Sequence, residues 1–205
     1  MKEVEKKARV GAEEFNVVLR CLEQEYGNPE HLLAIDAYYT MPRKKDGEKP
    51  RFRVRRNYDG DTKVLKSIMA NTKRKLVALD GLENNVETEF QLADEETASS
   101  FLDMMTAFGA KYWYTKGKEK FVFVAKGAVE YHLELCTLPI KGHKEHFLEI
   151  EGVFNPNKLT EYDEEETIKQ VDMFIDMVFM QLGIEKSVEP RPYRELMGVE
   201  YPSKG

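Results

Sequence analysis

Cysteine, long apolar runs and an excess of positive charge are what this chain has least of, and each shortage excludes something. Its two cysteines, Cys21 and Cys136, are too few for a disulfide scaffold. A chain of 205 residues is also above the size at which a fold needs disulfides or structural metals. No stretch approaches the ~20 apolar residues of a membrane span. The net charge of −6 argues against a nucleic-acid surface, which needs a basic excess. Met1 leads directly into charged residues without the apolar core of a secretory leader, so the expected setting is cytoplasmic. Internal repeats and low-complexity tracts are absent as well. What is there is an ordinary globular composition, 41% hydrophobic and 33% charged, consistent with one domain over residues 1–205.

Periodicity predicts the elements. Phe15, Val18, Leu19 and Leu22 have helical spacing within Glu13 to Glu25, after a first strand. Leu32 to Tyr39 and Arg51 to Arg56 read as strands on either side of a polar, Lys-rich loop from Pro42 to Pro50. Asn57 to Asp61 turns the second of these back into Thr62 to Asn71, and a further hairpin is expected between Leu76 to Leu79 and Val86 to Leu92. Asp94-Glu95-Glu96 opens a helix that Gly109 ends. Four strands are then expected: Lys111 to Thr115, Phe121 to Ala125, Val129 to Cys136 and Phe147 to Phe154. A helix from Glu164 to Leu182 and a short segment near Tyr193 to Met197 make a C-terminal helical region of about 160–205. About eight or nine strands with three helices make an α+β fold with an antiparallel sheet.

Several strands carry charge at a spacing of two, which confines it to one face. The sets are Glu3, Glu5 and Lys7; Arg53 and Arg55; Glu87 and Glu89; Lys116 and Lys118; Glu149 and Glu151. Carboxylates about 6.5 Å apart on one strand face repel by roughly 2 to 3 kcal/mol at an effective dielectric near 20, unless water or a cation intervenes. Taken singly, each set is a solvated outer face. Taken jointly in a closed antiparallel eight-stranded β-barrel, they form a polar lumen in which carboxylates suit Mg²⁺ or Mn²⁺ and Arg and Lys suit phosphate oxygens.

The order of these motifs resembles the CYTH superfamily, the triphosphate tunnel metalloenzymes, which includes thiamine triphosphatases, inorganic triphosphatases and class IV adenylyl cyclases. The matching segments are Glu3-x-Glu5-x-Lys7, Asp36-x-Tyr38-Tyr39, Phe52-Arg53-Val54-Arg55, Glu87-x-Glu89, Phe147-Leu148-Glu149-Ile150-Glu151 and Tyr193-Arg194-Glu195-Leu196. The resemblance implies Glu3, Glu5, Glu134, Glu149 and Glu151 as metal ligands. It implies Lys7, Arg53, Arg55, Lys66, Lys116 and Lys118 as phosphate contacts, with Glu87, Glu89 and Lys66 in catalytic roles. Lys116-Gly117-Lys118 stands where the family has K-x-R, and His132-Leu133-Glu134 where it has H-L-D. Lysine lacks the bidentate fork of arginine.

The implied activity is metal-dependent hydrolysis of a triphosphate-containing small molecule: tripolyphosphate, thiamine triphosphate or a nucleoside triphosphate. A class IV adenylyl cyclase making cyclic AMP and pyrophosphate, and a non-catalytic polyphosphate-binding module, are the alternatives. Neither a nucleic acid nor a membrane is expected as a partner, and the protein is read as a monomer or homodimer. Cys21 and Cys136 read as core residues, and His143-x-x-His146 as a loop rather than a zinc site. Asp59-Gly60-Asp61 reads as a turn. Tyr112-Trp113-Tyr114 suits either packing on the preceding helix or stacking on an organic substrate.

Overall fold

The computed structural model describes residues 1–42, 50–79, 82–158 and 163–200 of the chain. Eight strands close into an antiparallel barrel: β1 (Lys2–Val10), β2 (Glu30–Thr40), β3 (Arg51–Asp59), β4 (Leu65–Leu79), β5 (Leu82–Leu92), β6 (Lys111–Lys126), β7 (Glu130–Ile140) and β8 (His143–Phe154). Around the barrel their order is β1-β5-β4-β3-β2-β6-β7-β8. The helices are α1 (Phe15–Tyr26), α2 (Glu95–Ala107), α3 (Glu164–Gln181) and the single turn α4 (Tyr193–Leu196). The expected closed barrel is therefore present, with four α-helices among the described residues rather than three.

The barrel is polar inside and apolar outside, the reverse of a globular core. On β1, Val4, Ala8 and Val10 face outward and are buried, together with Leu133, Leu135, Leu148 and Ile150, beneath Val171, Ile175, Val178 and Phe179 of α3 and Val18 and Leu22 of α1. A second cluster places Phe52, Val54, Ile68, Ala70 and Leu92 against Ala98 of α2. Each fully buried large side chain contributes roughly 1.5–3 kcal/mol. The two helical covers thus stabilise the outer wall and leave the inner face free for charge. Gly152 lets α3 approach closely, because a Cβ there would stand 2.6 Å from Val171 Cγ1. Lys6 is a charged exception on the outer wall, and its ammonium is held by Asp172 and by Asp176 at 2.7 Å.

Strand boundaries differ from the expectation in a consistent direction. β4 and β6 are single strands of 15 and 16 residues where two each were expected. Gly117 does not interrupt β6, since its pairing with Ile35 lies within an unbroken register from Val122 to Tyr114. Pro139 pairs with Lys144 and Ile140 with His143, so the expected loop there shrinks to Lys141-Gly142. Both of those residues have positive φ, 50° and 84°, as a two-residue primed hairpin turn requires. Most of the expected Pro42 to Pro50 loop lies outside the described residues; its base is closed by Met41 N–H donating to Pro50 O at 2.8 Å.

Candidate active site

Strand parity sends Glu3 and Glu5 of β1 and Glu151 of β8 into the lumen, where one carboxylate oxygen from each lies within 4.8 Å of the others. Register explains the meeting: Glu5 is directly opposite Glu151. A lysine of β4, Lys73, enters the same group. Its ammonium donates to Glu3 Oε1 at 2.5 Å and Glu5 Oε1 at 2.9 Å, with Glu87 Oε1 at 3.8 Å. Burial, and then the neighbouring charges of Glu5 and Glu151, hold Glu3 well above the ordinary carboxylate range. Burial would raise Glu5 too, but the Lys73 charge and a hydrogen bond from Glu3 bring it to about 2.

A second constellation surrounds Asp36 of β2, which is 1% exposed. Arg55 of β3 grips it with Nε on Oδ1 at 2.7 Å and Nη2 on Oδ2 at 3.0 Å. Arg53 reaches Oδ2 at 3.5 Å, and Lys116 of β6 lies 3.3 Å from the same oxygen. Burial alone would raise the Asp36 pKa, but Arg55, Arg53 and Lys116 outweigh it and hold the carboxyl well below its usual range. Arg53 is oriented further by Nε donating to Asn71 Oδ1 at 2.9 Å, and the Asn71 amide donates in turn to Glu87 Oε2 at 3.4 Å. One chain of contacts thus links the arginines to the carboxylate cluster.

A third group joins β6, β7 and β8. Lys118, 3% exposed, is held by Glu149 and by Glu134 at 2.5 Å, and Lys120 is held by Glu134. Beside it, His132 Nδ1 lies 2.8 Å from Glu151 Oε1 and Nε2 lies 2.8 Å from Glu130 Oε1. The hydrogen bond to Glu151 is the chief cause that raises His132 to about 9.

No protein-family model matches the chain, and neither does any curated protein. Solved structures do. PH1819 from Pyrococcus horikoshii OT3 superposes with a TM-score of 0.66 at 20% identity, over 95% of this chain and 97% of that one. A chain of the Schizosaccharomyces pombe Mediator head module gives 0.64 at 12% identity, over 89% and 95%. HpAC1 from Hippeastrum, a candidate adenylyl cyclase in which a triphosphatase activity is dominant, gives 0.59 at 12% identity, over 98% of each chain. The chain has their fold. That agrees with the barrel implied by the motif order.

Most of the expected site residues meet in this lumen: Glu3, Glu5, Glu87, Glu134, Glu149, Glu151, Arg53, Arg55, Lys116 and Lys118. Glu134 and Glu149 are committed to Lys118 rather than to the Glu3 cluster. Glu89 is on the same face as Glu87, opposite Asn71, and is exposed. Lys7 Nζ donates to Arg191 O at 2.9 Å and lies 5.0 Å from the centre of the Tyr193 ring. Lys66 is not brought to the site. It is the extra residue at the β3–β4 bulge, where Asn57 pairs with Ser67 but Tyr58 with Leu65. Its side chain is 41% exposed and its ammonium is held by Glu30 at 2.8 Å. Lys73, seven residues further on, is a β4 lysine that faces inward.

The C-terminal segment fills one end of the lumen. Glu189 N–H donates to Lys7 O at 2.7 Å, and the Glu189 carboxylate holds Arg9 and Arg191. α4 then packs Tyr193 and Leu196 against the inward-facing Cys136, Leu138, Ile140 and Phe147. Cys136 is buried as expected, but Cys21 is exposed, because α1 buries Val18 and Leu22 instead. His146 bonds Thr137 at 2.8 Å, and Asp59 caps its turn through the Asp61 and Thr62 amides. The aromatic triplet splits: Tyr112 sits edge-on to Tyr39, while Tyr114 stacks on Tyr38 at 4.4 Å.

Proposed function

We propose that this protein binds the phosphate chain of a small triphosphate compound in the barrel lumen and hydrolyses it with the help of a divalent cation. The observation that carries this reading is the juxtaposition of an oxygen-only carboxylate group, Glu3, Glu5 and Glu151, with a buried basic cluster, Arg53, Arg55 and Lys116. Three carboxylates within 4.8 Å suit a hard cation such as Mg²⁺ or Mn²⁺. Such an ion, when bound, neutralises phosphate oxygens as a Lewis acid.

The chain's own residues supply the rest. Arg53 and Arg55 offer guanidinium forks matched to paired phosphate oxygens. Lys116, Lys118 and Lys120 add buried ammonium charge around the chain of phosphates, and Lys7 adds one at the α4 end. Arg53, Arg55, Lys116, Lys118 and Lys120 are paired with Asp36, Glu134 and Glu149, which hold them in position and leave little reorganisation to be made. Glu87, with Glu89 beside it, orients the attacking water and takes its proton. Nothing in this reading requires a nucleophilic side chain: burial pushes the Cys136 thiol up to about 11, which leaves it unreactive. The setting is read as cytoplasmic and the substrate as a free small molecule.

A cyclase would use the same clamps with a ribose hydroxyl in place of water, and the stacked Tyr38–Tyr114 pair is the feature that favours an organic substrate. The products decide. Purified protein is incubated with Mg²⁺ or Mn²⁺ and tripolyphosphate, thiamine triphosphate or ATP, scoring orthophosphate, pyrophosphate and cyclic AMP together. Orthophosphate supports the hydrolase. Cyclic AMP with pyrophosphate replaces it with the cyclase, and tight binding without turnover replaces both with a binding module.

A further inference from the structure

We infer that Lys73 is a built-in counter-cation that occupies the carboxylate cluster until a divalent ion and a phosphate chain replace it together. The inference rests on the metal-site reading above and adds a coupling between the two ligands. Lys73 Nζ lies 2.5 Å from Glu3 Oε1 and 2.9 Å from Glu5 Oε1. An Mg²⁺ or Mn²⁺ ion bound to those carboxylates sits about 2.0–2.2 Å from their oxygens. The ammonium and the ion therefore claim the same space, and their like charges forbid close company in a largely buried group.

The ammonium has somewhere to go. Its side chain is 33% exposed on a flexible four-carbon stem, and it leans toward Glu87 at 3.8 Å. Among the described residues the other inward lysines are engaged elsewhere: Lys7 with Arg191 O, Lys116 with Asp36, Lys118 with Glu134 and Glu149, Lys120 with Glu134. A phosphate chain entering the lumen gives the displaced ammonium a new anionic partner. Asn85, opposite Glu3 on β5 and 1% exposed, has an amide nitrogen without a hydrogen-bond partner among the described residues. By register it shares the inward face of Glu3 and adds a donor to that wall. Because the lysine leaves one anion for another, each ligand raises the affinity for the other by the same factor. Metal alone binds weakly.

The test is Mn²⁺ binding without any phosphate compound, followed by electron paramagnetic resonance and calorimetry on the full chain. Lys73→Met removes the charge and keeps the length. It is expected to tighten Mn²⁺ binding at least tenfold over the unsubstituted protein, with the gain lost when Glu5→Gln is added. Lys73→Arg keeps the charge and is expected to bind as weakly as the unsubstituted protein. Circular dichroism checks that each variant is folded, and Lys73→Gln repeats the test if Lys73→Met is not. Equal or weaker Mn²⁺ binding in the neutral variant overturns the counter-cation role while leaving the metal site standing. Tightening by Lys73→Arg as large as that by Lys73→Met also overturns it, since charge is then not the cause. Failure of every protein to bind Mn²⁺ at millimolar concentration overturns both this inference and the metal-site reading.

Discussion

Arg55 holds both carboxylate oxygens of Asp36, at 2.7 and 3.0 Å, and through that buried anion shares a counter-charge with Arg53 and Lys116. Removing Asp36 would leave three cations close together with little water to screen them. Asp36→Asn is therefore expected to cost about 3–5 kcal/mol of folding stability, as broken buried ion pairs do, read from urea unfolding at pH 7. The folded-state pKa of Asp36 is depressed, so its contribution is present above the unfolded value near 4 and is lost as pH falls through the lower folded value. An Asp36→Asn protein as stable as its parent would show that Arg55 is anchored by something else.

Arg53 is less fully committed to Asp36 than Arg55, reaching it only at 3.5 Å, and is the readier of the two to engage a ligand. Arg53→Ala is expected to weaken tripolyphosphate binding about tenfold or more while changing orthophosphate binding little. Arg53→Lys should recover only part of the loss. Calorimetry with both ligands checks this, and equal losses for the two would remove Arg53 from the clamp.

The inside-out barrel explains how much of this was legible. Glu3-x-Glu5, Arg53-x-Arg55 and Glu149-x-Glu151 marked the lumen because a strand has a period of two and the alternating Val4, Val54 and Ile150 must face the helices. Lys73 was hidden by the bulge at Lys66, which changes strand phase in a way that no local composition announces. Its signal was parity counted from the other end: Lys73 pairs with Glu87 and follows Asn71 by two. Lys120 escaped because Gly117 and the run that follows suggested a break in what is one strand. Asp36 is a lone inward acid without an i+2 partner. The closure by α4 depends on long-range contacts, Tyr193 to Cys136 and Phe147, that no local pattern reveals.

Lys66 offers a control. Its side chain is 41% exposed beside Glu30 and Asp59, so Lys66→Ala is expected to leave the urea midpoint almost unchanged and turnover of tripolyphosphate within about twofold. A large drop in turnover, measured as orthophosphate release, would return this lysine to the site.

His132 gives the barrel a dependence on alkaline pH. Its folded pKa is raised to about 9 by Glu151, burial opposing, with Glu130 assisting, against about 6.5 unfolded. The stabilisation is therefore fully present below pH 6.5 and is lost as pH rises through 9, a change of about 2–3 kcal/mol after allowance for partial exposure. Urea melts in chelator from pH 6 to 10 should show the decline, and His132→Gln should flatten it. An identical decline in both proteins would assign it to another group.

The most direct test of the central claim is orthophosphate release from tripolyphosphate by the unsubstituted protein, by Glu3→Gln and by Glu5→Gln, each with Mg²⁺ or Mn²⁺ and again with excess chelator. Metal-dependent release that falls at least a hundredfold in both variants, with unchanged circular dichroism, is the predicted result. Full activity in either variant, or in chelator, would contradict the reading of Glu3 and Glu5 as the carboxylates on which the reaction depends.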